Sequence, residues 1–249
     1  MQDILKEIVA HKHLELEQLC AKKPSLREAL LQSETGIIAE FKRRSPSKGW
    51  IKESGRPDVI PPSYASHGAS GLSILTDEKY FGGCQAFVRT ARPLVGGTPI
   101  LRKDFIVDEY QLFEARLIGA DVVLLIASDL EQEECWTLAH TAHELGLETL
   151  LEIHTEAELD YVGDDIDMVG VNNRHLGTFH TDVATSFQLA SLLPKDYVLV
   201  SESGISQPQT VRELRDAGFK GFLIGETFMR HDDPGQALGN FIYSLKFKV

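Results

Sequence analysis

Short apolar runs alternate with helical stretches eight times along the chain, and this repeat limits the choice of fold more than any other feature. The runs lie at Gly36–Phe41, Gly71–Leu75, Pro99–Leu101, Asp121–Ile126, Glu148–Ile153, Met168–Val171, Tyr197–Val200 and Gly221–Ile224. A segment of helical period follows each run, most clearly at Asp108–Leu117, Ala139–Leu145, Pro208–Ala217 and Pro234–Leu245. Because the runs are continuously apolar, they are typical of parallel strands buried on both faces. Eight such units favour a closed (β/α)8 TIM barrel over an open doubly wound sheet.

The chain carries no low-complexity segment and no Pro/Gly/Ser-rich linker, so we expect a single domain over residues 1–249. In this prediction residues 36–249 form the barrel, and residues 1–33 form a helical N-terminal extension. The extension contains one or two helices, with apolar positions at Ile4, Leu5, Ile8 and Val9 and then at Leu14, Leu16 and Leu19. The pattern leaves open whether the extension covers the bottom of the barrel or reaches its rim.

The charge balance excludes one class of partner. The chain has 25 Lys and Arg residues against 37 Asp and Glu residues, a net charge of −12, whereas general nucleic-acid binding needs a basic surface. A local group of basic side chains can still hold a small anionic substrate inside an acidic protein. We therefore expect a small anionic ligand and no nucleic acid.

Three further features bear on location and partners. The longest apolar stretch, Val122–Ala127, is far shorter than the roughly 20 residues that span a bilayer, and the N-terminus lacks the apolar segment of a secretory signal. The cysteines Cys20, Cys84 and Cys135 are odd in number and far apart, which suits a reducing compartment. We expect a cytoplasmic protein without a membrane partner, and a monomer, with a dimer as the alternative. His140 and His143 lack the spacing of a zinc-protease motif, so we predict no metal site.

Polar side chains end six of the predicted strands. The carboxyl ends of the strands of a (β/α)8 barrel meet at one mouth, where the active sites of such enzymes lie. Any one polar residue there can simply be a strand end that is exposed to solvent. A set of lysines, glutamates, an arginine and an asparagine at one mouth predicts a functional site. Its members are Glu40, Lys42, Lys103, Glu152, Asn172, Arg174 and Glu202.

The last two strands and the first loop indicate a phosphate group. Ser203-Gly204 and Gly225-Glu226 follow neighbouring strands, where loops of such barrels often hold phosphate on backbone N–H groups. The alternative is that these glycines only make tight turns. The segment Arg43–Arg56, which includes Ser45, is basic and predicted to be a long loop. It would form a lid over an anionic ligand, or else a solvated surface loop.

Several motifs, in order and spacing, resemble the indole-3-glycerol phosphate synthase family from about Ile37 to Met229. They are the segments Ile38–Gly49, Leu72–Asp77 with Phe81–Gly83, Lys103–Ile106, Leu151–His154, Gly170–Arg174 and Ser201–Ile205. The resemblance implies a (β/α)8 barrel with an N-terminal helical extension. It also implies conversion of 1-(2-carboxyphenylamino)-1-deoxyribulose 5-phosphate to indole-3-glycerol phosphate, with release of carbon dioxide and water and without a cofactor.

The resemblance also implies roles for individual residues. Lys103 is similar to the family's general acid, and Glu152 to the carboxylate that assists proton removal during dehydration. Lys42 resembles the lysine near the phosphate and the reacting carbonyl, and Glu40 the carboxylate that orients the lysines. Asn172 and Arg174 resemble residues that hold the substrate hydroxyl and carboxylate. The remaining matches are Glu202, counted with the catalytic residues, and the substrate-binding residues Ser45, Ser203, Gly204, Gly225 and Glu226.

Two alternatives remain beside this lyase. One is a related barrel isomerase, against which the two lysines and the Asn-x-Arg motif argue. The other is a barrel that binds phosphorylated metabolites without catalysis, against which the Lys103 and Glu152 pair argues. The chain departs from the family pattern in three places. His175 stands where Asp or Asn is usual, Glu226 stands where a small residue is common, and Pro61-Pro62 in the first helix region is also unusual.

Overall fold

Eight parallel strands form a closed barrel in chain order. The computed structural model describes residues 4, 6–12, 24–175, 177 and 180–247. The strands are β1 Ile37–Phe41, β2 Gly71–Leu75, β3 Ile100–Lys103, β4 Val122–Ile126, β5 Glu148–Ile153, β6 Met168–Asn172, β7 Val198–Glu202 and β8 Gly221–Ile224. Pairing of β8 with β1, through Ile37 with Phe222 and Ala39 with Ile224, closes the ring. The predicted (β/α)8 TIM barrel is confirmed, and so are its eight predicted strands.

Helices and short 3-10 turns connect the strands. The helices are α1 Leu26–Gln32, α2 Ile60–Ser66, α3 Gln85–Ala91, α4 Glu109–Ile118, α5 Gln132–Glu144, α6 Ala184–Ala190, α7 Pro208–Asp216, α8 Glu226–Met229 and α9 Pro234–Lys246. The 3-10 turns are Arg92–Leu94, Ala127–Asp129 and Glu156–Tyr161, and the last of these stands between β5 and β6.

Local signals explain where two of the helices begin and end. Asp108 and Gln111 form a capping box at the start of α4, and Gly119 ends that helix with a left-handed φ of 91°. Helix α5 begins at Gln132, earlier than the predicted Ala139, because Glu131 and Glu134 form a capping box there. The first turn of α5 is acidic, so apolar periodicity could not reveal it.

Helix α1 covers the bottom of the barrel, at the amino ends of the strands. Leu26 and Leu30 are buried and pack with the side chains that fill the barrel interior. The Glu148 carboxylate, at the start of β5, accepts hydrogen bonds from the Leu26 N–H at 2.7 Å and the Arg27 N–H at 3.1 Å. This contact satisfies N–H groups that have no partner inside the helix. For α1, the structure decides between the two placements that the sequence left open.

The N-terminal extension is described in part. Residues 4 and 6–12 are helical, whereas the positions of the second predicted helix, Leu14, Leu16 and Leu19, lie outside the described residues. In the part of the chain that the structure describes, no helix is long and apolar enough to cross a bilayer.

The segment after β1 is not an unstructured loop. Residues Arg44–Ser45 and Gly49–Trp50 form a small antiparallel hairpin, and the N–H of Ile51 donates to the Arg43 carbonyl at 2.8 Å. The Arg43 guanidinium lies 5.3 Å from the centre of the Trp50 ring, within the range of a cation–π contact. The prediction of a long loop without secondary structure was wrong for this segment. Each strand of the hairpin has only two residues, which is too short to show the alternation that identifies a strand in a sequence.

Candidate active site

A cavity of about 450 Å³ opens at the carboxyl ends of the strands. Eleven of the twelve predicted site residues line it: Glu40, Lys42, Lys103, Glu152, Asn172, Arg174, Glu202, Ser203, Gly204, Gly225 and Glu226. Ser45 lies apart from them: it is buried in the hairpin, and its hydroxyl makes no hydrogen bond to any described residue. The mouth of the barrel therefore gathers residues that are up to 186 positions apart, from Glu40 to Glu226.

Lys103, the last residue of β3, stands between two buried carboxylates. Its Nζ lies 2.7 Å from Oε2 of Glu152 and 2.6 Å from Oε2 of Glu202. The second Glu152 oxygen, Oε1, accepts a hydrogen bond from Nδ2 of Asn172 at 2.8 Å. Strands β3, β5, β6 and β7 thus each contribute one side chain to a connected polar group.

The three charges of this group set one another's protonation. Burial lowers the pKa of Lys103, but the carboxylates of Glu152, Glu202 and Glu40 outweigh this effect and hold the pKa above its ordinary value. Burial likewise raises the pKa of Glu152, yet the Lys103 ammonium and the neighbouring His154 and Asn172 bring it below its usual range. Burial raises the pKa of Glu202, and the nearby Glu152 and Glu40 carboxylates raise it further. The Lys103 ammonium offsets only part of this increase, so the pKa is about 7. The site therefore holds an ammonium, a firmly ionised carboxylate and a carboxylate that titrates near neutrality.

A second lysine–carboxylate pair comes from the first strand. Nζ of Lys42 forms an ion pair with Oε1 of Glu40, which is buried in β1. Gly225, directly after β8, makes room for this carboxylate, because a Cβ at Gly225 would collide with Oε1 of Glu40. The structure thus supplies a reason for this glycine that differs from the predicted approach to a phosphate.

The turn after β7 has an uncommon backbone. Ser203 has a φ of 67° and Gly204 a φ of 77°, both in the left-handed region that disfavours residues other than glycine. Nδ2 of Asn173 donates to the Ser203 carbonyl at 3.1 Å and to Oγ of Ser201 at 3.1 Å, which holds the turn from behind. Strain of this kind is found mostly at functional sites.

Sequence reasoning missed two residues that position the site. Asn173 belongs to a buried network, in which its Oδ1 accepts from Oγ of Ser186 at 2.8 Å. Gly170, inside β6, leaves space for Glu202, because a Cβ there would collide with Oε1 of that carboxylate. A glycine inside an apolar strand is itself a signal of close approach, and it was available in the sequence.

Charged side chains from the hairpin and from the start of α8 meet at the rim. Nζ of Lys48 donates to Oε1 of Glu226 at 2.6 Å, and both side chains are partly exposed. Arg174 is held by a β-bridge to Thr181 and by a hydrogen bond from its Nε to the Thr181 hydroxyl at 3.3 Å. Lys48 therefore balances the negative charge of Glu226, which stands where a small residue is common in the family.

The apolar part of the cavity faces the lysines. Phe81 and Phe105 lie side by side with ring centres 6.2 Å apart, and both line the cavity together with Leu75. Among the described residues, no group of three or more His, Cys, Asp or Glu side chains is arranged to hold a metal ion. His143 of α5 instead contacts Asp167, with Nε2 and Oδ2 2.8 Å apart.

A closed parallel barrel with paired lysines and carboxylates at the carboxyl ends of its strands defines the class of (β/α)8-barrel enzymes. Solved structures agree on the fold. The tryptophan synthase alpha subunit of Legionella pneumophila superposes with a TM-score of 0.63 at 14% identity, over 91% of this chain and 98% of that one. The 3-hexulose-6-phosphate synthase of Salmonella typhimurium gives 0.64 at 12% identity, over 84% and 99%.

Sequence comparison resolves the family. The family model described as indole-3-glycerol phosphate synthase matches residues 2–241. An indole-3-glycerol phosphate synthase of Bacteroides thetaiotaomicron is 59% identical over 99% of this chain and all of its own length. The enzyme of that name from Chromobacterium violaceum is 41% identical over 98% of this chain and 99% of its own. The chain therefore belongs to the indole-3-glycerol phosphate synthase family, carboxy-lyases of tryptophan biosynthesis, and both the isomerase and the non-catalytic alternative are set aside.

Proposed function

We propose that this cavity performs the family's indole-forming reaction with Lys103 as the general acid and Glu152 as the carboxylate that assists proton removal. The substrate is 1-(2-carboxyphenylamino)-1-deoxyribulose 5-phosphate, and the products are indole-3-glycerol phosphate, carbon dioxide and water. The observation that carries the proposal is the position of the Lys103 ammonium, within 2.7 Å of both Glu152 and Glu202 in a buried mouth.

Ring closure requires a proton at the carbonyl oxygen of the substrate. The aromatic carbon that bears the carboxylate attacks the carbonyl carbon, so a C–C bond forms and the oxygen gains negative charge. The neighbouring carboxylates keep Lys103 as an ammonium, which stabilises this charge and delivers the proton. Loss of carbon dioxide then returns the bonding electrons to the ring.

Dehydration requires a base after the acid has acted. The new hydroxyl leaves as water when it takes up a second proton, for which Lys42, paired with Glu40 in the cavity, is the donor. A proton leaves the substrate to complete the indole. Glu152 lies next to Lys103 and is ionised, so it can accept that proton. Glu202 shares Lys103 with Glu152 and holds the ammonium in place before the transfer.

The walls of the cavity suit the three parts of this substrate. Phe81, Phe105 and Leu75 offer an apolar surface to the aromatic ring, and Arg174 with Asn172 would hold the substrate carboxylate and a hydroxyl. We place the phosphate at the backbone N–H groups of Ser203-Gly204 and Gly225-Glu226. The left-handed turn at Ser203 supports this, because it brings successive N–H groups to one side.

We further propose one domain that works as a monomer in the cytoplasm, on this small anionic substrate alone. Cys84 and Cys135, the described cysteines, are both free, as is usual in a reducing compartment. Sedimentation of the purified protein at two concentrations tests the oligomeric state, and a dimer at both would contradict it.

The test of the reaction is a double-mutant cycle followed by fluorescence of the indole product. Lys103→Ala should abolish turnover, and the nearly isosteric Glu152→Gln should lower kcat by at least the ~10²-fold typical of lost acid–base help while KM changes little. The double variant should be no worse than Lys103→Ala, since both residues serve one proton-transfer sequence.

The matched control is Lys195→Ala, which removes an exposed lysine that does not line the cavity and should leave kcat unchanged. If Lys103→Ala kept more than about a tenth of kcat, the loss would be too small for a general acid. Lys42 would then be the acid.

A further inference from the structure

His154 stands directly behind the proposed base. It follows Glu152 by two positions at the end of β5, so both side chains project to the same side of the strand. The His154 side chain is 9% exposed, yet it does not line the cavity. The imidazole therefore contacts Glu152 from outside the cavity, away from the space that a substrate would occupy.

Both ring nitrogens of His154 face carboxylates. Nε2 lies 3.4 Å from Oε1 of Glu152, and Nδ1 lies 3.7 Å from Oε2 of Glu158. Neither nitrogen makes a hydrogen bond to a described residue, so the contacts are those of charges at close range. Asp129, in the turn after β4, adds a third negative charge near the ring.

Glu158 is fixed by the backbone and cannot simply turn away. Its Oε2 accepts from the N–H of His154 at 2.5 Å and from the N–H of Thr155 at 3.3 Å, as part of the capping box of the turn Glu156–Tyr161. Glu152 is equally fixed through Lys103 and Asn172. The imidazole is thus held between two anchored carboxylates.

These surroundings determine the charge of the ring. Burial lowers the pKa of His154, but contact with Glu152 and Glu158 outweighs it and raises the pKa to about 9. At neutral pH the ring is then an imidazolium. This matters most after Lys103 has given its proton to the substrate, because Glu152 then loses its other cationic neighbour.

We propose that His154 is a positioning residue for the reaction: an imidazolium that keeps the Glu152 carboxylate ionised and oriented while Lys103 is deprotonated. The proposal rests on the proposed function of Glu152. His154 itself touches neither substrate nor reacting atoms.

The first experiment measures the ring without reference to activity. NMR titration of the histidine ring signals, with His154→Gln used to assign the His154 signal, should show that His154 stays protonated well above pH 7. Glu158→Gln should move this titration to lower pH. A His154 ring that titrates near the ordinary value of about 6.5 would overturn the proposal.

The second experiment measures kinetics. His154→Gln should lower kcat by on the order of tenfold, less than the ~10²-fold expected for Glu152→Gln, with KM changed by less than about twofold. The acidic limb of the kcat profile should move to higher pH, since Glu152 loses a positive neighbour. Glu158→Gln should not move the limb to higher pH, because at acid pH the His154 ring stays protonated without Glu158 and the lost carboxylate no longer disfavours ionisation of Glu152. The matched control is His140→Gln, because His140 also faces a carboxylate, with Nδ1 3.0 Å from Asp165, but lies on α5 away from the cavity.

The outcomes separate the two proposals. An unshifted pH profile in His154→Gln would overturn the role of His154 even if Glu152→Gln abolishes turnover. Full activity of Glu152→Gln would overturn the proposed function and the positioning role with it, whatever the ring titration shows. If His154→Gln fails to fold, His154→Asn takes its place in assigning the signal, and the titration of the unmodified enzyme and of Glu158→Gln decides.

Discussion

At the residue scale, glycines decide where two of the buried carboxylates stand. Gly170 leaves the space that Oε1 of Glu202 occupies, and Gly225 leaves the space that Oε1 of Glu40 occupies. Oε1 of Glu202 makes no hydrogen bond to a described residue, so this carboxylate is buried with half of its acceptor capacity unused. Such a group costs stability and is kept where it serves a site.

The stability cost of burying the Glu202 carboxylate can be measured through its pH dependence. Burial and the neighbouring Glu152 and Glu40 raise the pKa of Glu202 to about 7, above its ordinary value of 4.5. The folded state therefore holds this proton more tightly than the unfolded state, and the group stabilises the fold increasingly as pH falls from about 7 toward 4.5. Above pH 7 Glu202 is a buried anion, and it lowers the stability of the folded state.

We expect Glu202→Gln to raise the melting temperature relative to the unmodified enzyme at pH 8 and to lose that advantage progressively toward pH 5. Thermal unfolding at several pH values measures the difference. The variant should also lose turnover, because Lys103 keeps only one strong carboxylate partner at the mouth. The control Glu109→Gln, on the exposed start of α4, should show a pH-independent difference. A pH-independent difference for Glu202→Gln would contradict the shifted pKa.

At the element scale, the hairpin after β1 and the short helix α8 meet over the rim. Lys48 from the hairpin and Glu226 from α8 form an ion pair at 2.6 Å, and Nζ of Lys52 donates to the His231 carbonyl at 2.7 Å. These contacts tie the basic segment to the last unit of the barrel. The proposed phosphate position lies beside this pair, so Glu226 and the phosphate compete for the same lysine.

We expect Glu226→Gln to tighten competitive inhibition by inorganic phosphate by up to about fivefold. The change removes a repulsive carboxylate and frees Lys48, and its size is limited because exposed ion pairs contribute only about 0.2–1 kcal/mol. The inhibition constant, measured at low and high salt, should differ most at low salt. Glu133→Gln, an exposed change on α5, serves as the control. Weaker inhibition in Glu226→Gln would mean that Glu226 positions Lys48 for phosphate and does not oppose it.

At the scale of the whole molecule, stability and chemistry lie at opposite ends of the barrel. Helix α1 seals the bottom with Leu26 and Leu30, while the cavity opens at the top. Gly71 and Gly221, at the starts of β2 and β8, make room for these leucines, because a Cβ at either position would press on them. The two leucines therefore close the bottom of the barrel in direct contact with the starts of these strands.

We expect Leu30→Ala to lower the free energy of unfolding by about 2–5 kcal/mol, the usual cost of a large-to-small change in a core. The kcat and KM at 25 °C should stay within about twofold of the unmodified enzyme, since Leu30 does not line the cavity, which opens at the other end of the barrel. Urea unfolding and the product assay give the two readouts. Leu31→Ala, the next residue of the same helix, is the control because Leu31 is 51% exposed. A Leu30→Ala enzyme that loses turnover while folded would show that the bottom and the mouth are coupled.

The sequence by itself determined the fold, the family and the position of the site at the carboxyl ends of the strands. Each strand contains a short apolar run, and such runs are local patterns that can be read without knowledge of the rest of the chain. The carboxyl ends of the strands then had to share one rim, so eleven of the twelve proposed site residues line the same cavity.

Only the tertiary structure decided which of these residues touch. Lys103 contacts Glu152 and Glu202, which lie 49 and 99 positions further along the chain, and no periodicity carries information over such distances. The same is true of Leu26 and Leu30 under the barrel, of the Lys48 contact with Glu226, and of the place of His154 behind Glu152. The protonation of the site was undetermined for the same reason, because a pKa depends on the burial and the charges that only the folded chain brings together.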